Sequence, residues 1–138
     1  MKTTVVALIA LIAPAAGCGR SEEAQEADRI VHAIDVMRDA PNDPFAVRAD
    51  LLAALEAEHP KGKLAVAARE ACVKAYRAMV GAQRLEARVR GGLKGAADGG
   101  IDIGLLGDLG NADTILKESM TAMPDCDQRL RELRRAFR

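Results

Sequence analysis

Aromatic side chains are nearly absent from this chain of 138 residues: Phe45, Tyr76 and Phe137 are the whole set, and there is no tryptophan. Sugars and single-stranded nucleic acid are usually held by stacking on aromatic faces, and so few rings build no such platform. Net charge is lacking too. The 20 basic and 20 acidic side chains cancel, so no whole-molecule field gathers nucleic acid or an anionic surface, and no nucleic-acid partner is expected. Serine is scarce: Ser21 and Ser119 are the only two, and neither stands in the G-x-S-x-G turn that exposes a nucleophile.

Other chemistry is missing by pattern rather than by count. The cysteines form neither C-x-x-C nor C-x-x-C-H, which leaves thioredoxin-like exchange and covalent haem attachment without support. The glycine-rich stretch lacks the G-x-x-x-x-G-K-[ST] order of a phosphate loop, and no strand precedes it. Asp108, Asn111 and Asp113 do not reproduce the ligand spacing of a calcium loop. Of the two histidines, His59 precedes Pro60 at a helix end. His32 has Asp28 and Asp35 at i−4 and i+3, on one helix surface. That trio lacks a fourth metal ligand and reads as a solvated polar face with a weak local ion pair. Met37, Met79, Met120 and Met123 read as packing residues rather than haem ligands. No catalytic residue, metal or cofactor is expected, and the chain does not read as an enzyme.

What is present starts with an address. Lys2 supplies a positive start, and Val5 to Ala13 form an apolar run that ends before Pro14. The run is far short of the roughly 20 residues that span a bilayer as a helix. A basic start, a short apolar stretch and small residues after it form the pattern of a cleaved export signal.

The residues that follow resemble a known class. Ala15-Ala16-Gly17-Cys18 is similar to the lipobox of bacterial lipoproteins, with small residues at the two positions before an obligatory cysteine. The resemblance covers the signal and Cys18 only. It implies a diacylglycerol on the Cys18 thiol, removal of residues 1–17, and acylation of the new amino group. Two or three acyl chains hold a protein durably at a membrane, where one holds it marginally. In many Gram-negative bacteria aspartate next to the cysteine marks retention at the inner membrane. This chain has Gly19 there, so the resemblance leans towards the outer membrane. The competing reading is ordinary secretory cleavage after Ala13-Pro14-Ala15, an A-x-A match.

Cysteine arithmetic favours the lipid. Three thiols in an exported chain leave one unpaired, whereas a lipidated Cys18 leaves Cys72 and Cys126 as an even pair in a compartment that permits disulfides. Both lie on apolar helical stripes, and they are expected to be bridged. The alternative is two buried free thiols acting as small hydrophobes.

The mature chain reads as all-α: a small bundle of about four helices, with a long Gly-rich connection between the third and the last. Residues 18–23 are expected to be a lipidated tether and 24–138 the helical domain. Ser21 is a candidate cap. Ala27, Ile30, Ile34 and Met37 then recur at spacings of three and four. Pro41 and Pro44 break that helix. Asp43 before Pro44 signals a restart with a capping carboxylate and proline at the first helical position. The second helix, from Pro44 to about Glu58, places Val47, Leu51, Ala54 and Leu55 on one side. The third, from about Lys61 to Arg90, carries Leu64, Ala68, Cys72, Ala75, Tyr76 and Met79, widened by Val66, Val73 and Val80.

Between Gly91 and Gly110, eight of the twenty residues are glycine, a density that disfavours regular helix. The stretch reads as a long connection, part of it folded onto the bundle through its isoleucines and leucines. The last helical region, from about Asn111 to Arg138, is expected to be interrupted or kinked at Pro124. It aligns Cys126, Leu130, Leu133 and Phe137. Its arginine-rich end reads as a solvated outer face, with a contact for anionic headgroups or an acidic partner as the alternative.

The expected function is accordingly that of a noncatalytic envelope lipoprotein, joined to the membrane through Cys18 and binding another envelope protein. The alternative is a periplasmic helical module, chaperone-like, for an apolar ligand or an unfolded client.

Overall fold

A computed structural model of the chain describes residues 19–95 and 102–138. The export signal expected at residues 1–17, and the lipid site expected at Cys18, lie outside the described residues. Among the described residues four helices make up the fold: α1 (Glu22–Asp39), α2 (Phe45–Ala57), α3 (Lys63–Gly95) and α4 (Ile103–Ala136). No strand occurs among the described residues. The chain forms a small all-α bundle.

The cap on α1 is the one the sequence indicates. Ser21 accepts the Ala24 N–H at 3.2 Å, and Glu22 and Glu23 lie in the first turn, where negative charge suits the helix dipole. The helix opens inside the stretch expected to be tether. Ala27, Ile30, Ile34 and Met37 are all buried, as their spacing requires. Burying a side chain such as Ile30 or Ile34 stabilises the fold by about 1.5–3 kcal/mol relative to leaving it in water.

The second helix turns a different face inward from the one expected. Arg48, Leu52 and Leu55 are buried, while Val47 is exposed and Ala54 faces solvent. The leucine pair at 52 and 55 sets the register, and Arg48 follows one turn earlier. Asp43 makes no cap, since α2 begins without a side-chain capping bond. Its carboxylate instead pairs with Arg90 at 3.2 Å.

The third helix starts on a carboxylate borrowed from α1. The Lys61 and Gly62 backbone N–H groups donate to Glu26 Oε2 at 3.0 and 3.1 Å, partnering donors that a helix start otherwise leaves open. Glu26 is buried. Those bonds, that of Gly62 first, hold its pKa below the usual carboxylate value. Leu64 is exposed and Ala65 buried, so the inward stripe begins one residue later than expected.

The glycine tract is where sequence and structure part most. The connection is shorter than expected: α3 runs on to Gly95 and α4 already starts at Ile103, so Gly91, Gly92, Gly104, Gly107 and Gly110 are all helical. The Asp102 side chain accepts the Gly104 N–H at 2.8 Å and caps α4. Nor does Pro124 interrupt α4, which continues through it to Ala136; the proline lies on the exposed side.

What overrides the glycine penalty is pairing of α3 with α4. Ala68, Ala75, Ala82 and Val89 on α3 are buried, as are Ala112, Ser119, Cys126 and Leu133 on α4. Both sets repeat at the seven-residue interval that keeps one face of a helix against its partner. Small side chains at most of these places permit close approach. The Ser119 hydroxyl donates to the Ala75 carbonyl at 2.9 Å within this seam.

At 1.5 Å per residue, α3 and α4 are each about 50 Å long and α1 about 27 Å. Contacts fix where the shorter helices lie. α1 runs antiparallel to α4, with Arg38 bonded to Asp127 at 2.6 Å and Asp35 to Arg134. α2 runs antiparallel to α3, with Arg48 near its start bonded to Met79 Sδ at 3.3 Å and the Leu55 carbonyl near its end accepting from Arg69 at 3.1 Å. The main core, which draws on all four helices, reaches up α3 only as far as Val80. Beyond it α3 and α4 continue as a two-helix hairpin.

Candidate functional site

Cys72 and Cys126 are joined, with an S–S distance of 2.03 Å and 4.5 Å between their Cα atoms. Both are fully buried and belong to the main core. The bridge ties α3 to α4 across a separation of 54 residues. On the chain-entropy account a loop of that size restricts the unfolded chain by about 4 kcal/mol. Sealed inside the core, it is a structural cross-link and offers no exposed sulfur for exchange.

The trio around His32 is not drawn together. His32 is exposed, Asp28 bonds to Arg20, and Asp35 bonds to Arg134 and stands 3.9 Å from Arg38. The carboxylates serve surface ion pairs. Among the described residues no group of three or more His, Cys, Asp or Glu side chains is placed to hold a metal ion. No described helix is long and apolar enough to cross a membrane.

Two features at the distal end do carry chemistry. The first is an apolar ridge on α4. Leu106, Leu109, Leu116 and Met120 are spaced to share one helix face, and all are exposed, Leu106 to 62 % and Met120 to 68 %. Ile103 at the tip is 83 % exposed, and Leu93 on the facing helix is exposed as well. Side chains of this kind ordinarily face a core; a run of them in water marks a contact surface.

The second is a polar junction where the α1–α2 connection meets α3. Arg48 is only 5 % exposed. Its guanidinium donates to Asn42 Oδ1 at 2.6 Å, to Met79 Sδ at 3.3 Å and to the Ala40 carbonyl. No carboxylate is among these partners, and Nε is enclosed without an acceptor. Asn42 Oδ1 also accepts Gln83 Nε2 at 3.3 Å. The Gln83 Oε1 atom is buried with no donor. Beside this junction lies a cavity of about 310 Å³, with Asn42, Phe45, Gln83, Glu86 and Leu116 among its walls. Leu116 belongs to both the cavity and the ridge.

No family model, curated protein or solved structure matches the chain. The ridge and the junction must be read from their own chemistry.

Neither was found from the sequence. Arg48 signals itself only through the register it shares with Leu52 and Leu55. Gln83, between Ala82 and Arg84, has nothing in the sequence to mark it. Leu106 and Leu109 fall in the connection the sequence predicts, since glycine density hides their helical spacing, while Leu116 and Met120 fall in the last helical region.

Proposed function

We propose that this chain is a noncatalytic envelope lipoprotein, held to a membrane by lipid on Cys18, which offers its distal hairpin to another envelope protein. The observation that carries the reading is the placement of the exposed leucine ridge. α1 begins at Glu22, four residues after the expected anchor, and its start lies beside the start of α3, where Glu26 meets Lys61 and Gly62. The ridge runs from the middle of α4 to its opposite end, roughly 25–45 Å away by helix rise. A contact surface remote from the anchor can meet a partner that does not itself touch the bilayer. Gly19 favours the outer membrane for the anchor, facing the periplasm.

Two measurements test the two halves of the reading. Mass spectrometry of the amino-terminal peptide should find Cys18 as the first residue, carrying acyl chains; an unmodified thiol would remove the anchor. For the hairpin, cross-linking from position 109 in intact membranes should yield one recurrent protein adduct. Leu106→Glu with Leu109→Glu should abolish it, whereas Val36→Glu on the body should not. Survival of the adduct in the double variant would defeat the assignment.

The same exposed leucines favour a second reading, a chaperone-like module for an apolar ligand or an unfolded client. Its mark would be slowed aggregation of unrelated clients by the wild-type chain and not by the double glutamate variant.

A further inference from the structure

We propose that Arg131, Arg135 and Arg138 form the surface on which the anchored chain rests, taking the phosphate groups of anionic phospholipid in its own membrane. The inference deepens the reading of lipid at Cys18 and rests on it. The three arginines stand at i, i+4 and i+7, on the side of the last helical turns turned away from Cys126 and Leu133. Pro124 and Gln128 continue the same stripe, and all five residues are exposed. No acidic side chain interrupts it. Four neighbouring arginines are engaged: Arg20 with Asp28, Arg38 with Asp127, Arg129 with Glu132 and Arg134 with Asp35. Among the described residues Arg131, Arg135 and Arg138 enter no hydrogen bond or ion pair. The helix dipole favours basic side chains in the last turn, which accounts for Arg135 and not for Arg131, a turn earlier.

The occupant follows from where the chain leaves the bundle. Cys18 is two residues from Arg20, at most about 7 Å of chain. Arg20 and Arg138 line one cavity of about 240 Å³ between the start of α1 and the end of α4. Acyl chains on Cys18 therefore set phospholipid headgroups beside Arg138, and Arg131 lies only about 10 Å further along by helix rise. The acidic side chains at this end face elsewhere. Glu22 stands 4.0 Å from Lys61 and Glu23 lies against Gly62, both towards the start of α3, while Glu132 pairs with Arg129 at 3.2 Å. A guanidinium presents forked donors that match two phosphate oxygens. A soluble anion meets one or two such side chains at a time, whereas a bilayer held at Cys18 meets all three.

The test uses the chain as purified from membranes, with a nitroxide attached through Gln128→Cys. It is added to vesicles of phosphatidylcholine alone and to vesicles that also contain phosphatidylglycerol, both carrying nickel chelated at the headgroups. Collisions of the nitroxide with nickel should be several times more frequent on the anionic vesicles, and raised salt should remove the difference. Each arginine near an anionic surface shifts the balance between resting and raised orientations about fivefold. Arg135→Gln should therefore remove part of the difference, and glutamine at 131, 135 and 138 together should remove it all. The three are exposed and unpaired, so these variants keep the bundle. Chain that settles on both vesicles with equal collision rates, or a triple variant that keeps the difference, overturns the arginine surface and leaves the anchor standing. Chain that settles on the anionic vesicles alone supports the arginines and removes the anchor, and chain that settles on neither overturns both. A protein adduct formed from position 128 in intact membranes, and lost in the triple variant, would give the stripe to an acidic protein and overturn the proposal.

Discussion

The proximal turns of α3 and α4 are enclosed by α1 and α2, whereas the distal turns have each other and, on one side, only the α1–α2 connection at Asn42 and Asp43. The proximal part holds the main core, with Ile34, Met37, Leu55 and Leu133 wholly buried, and the disulfide lies within it. In the distal part Val89 and Ala112 are buried, and Leu106 and Leu109 stand in water. Two helices can bury one seam between them and no more, so any further apolar side chain on either is left outside. The difference teaches that the distal hairpin owes its shape to the seam and to continuity with the body, while its outer surface is free for contact.

Breaking the body should have the largest effect. Cys72→Ala with Cys126→Ala should lower stability by about 4 kcal/mol in chemical denaturation, and reducing agent should do the same to the wild type. Equal midpoints for variant and wild type would mean that the bridge adds nothing to the proximal core.

A smaller effect sharpens the account of the hairpin. Nothing lies within 4 Å of a Cβ added at Gly107 or Gly110, so alanine at either should stabilise α4 locally by roughly 0.5–1 kcal/mol through helix propensity. At Gly92 a Cβ would stand 2.7 Å from Leu105 Cδ1, and that gain should be cancelled. Slowed amide hydrogen exchange in the first turns of α4 is the readout. If Gly92→Ala protects as well as Gly107→Ala, Leu105 does not pack into the space that Gly92 leaves.

The smallest effect concerns the junction of α1 with α3. The folded pKa of Glu26 lies below its ordinary value of 4.5, so its contribution is present above that value and is lost as pH falls through the lower, folded one. Glu26→Gln should flatten the acid side of the stability profile below about pH 4.5 and leave it unchanged in shape near neutrality. A profile identical to that of the wild type would separate Glu26 from the acid response.

Much of the architecture is legible in the sequence because the body follows simple periodicity. Ala27, Ile30, Ile34 and Met37 declare α1, and Cys126, Leu130 and Leu133 declare the last turns of α4. The distal helices are harder to read, since the glycines at 91, 92, 95, 104, 107 and 110 argue locally against a helix that only pairing supplies. In α2, valine and leucine occur on several sides, and the buried face is chosen by what α3 offers rather than by hydropathy. The junction was hidden for a related reason. An arginine in a core is intelligible only when its acceptors are seen, and those come from the Ala40 backbone and Asn42 in the turn between α1 and α2 and from Met79 on α3.

The carboxylate of Glu26 has a mechanical consequence. Tension applied at residue 19 enters α1 first and passes to the longest helices through side-chain packing and the two hydrogen bonds at Lys61 and Gly62. Further along, α3 and α4 are welded covalently at Cys72 and Cys126. Strain along the molecule would therefore peel α1 away before it parted the hairpin, leaving the leucine ridge in register while the amino-terminal helix yields.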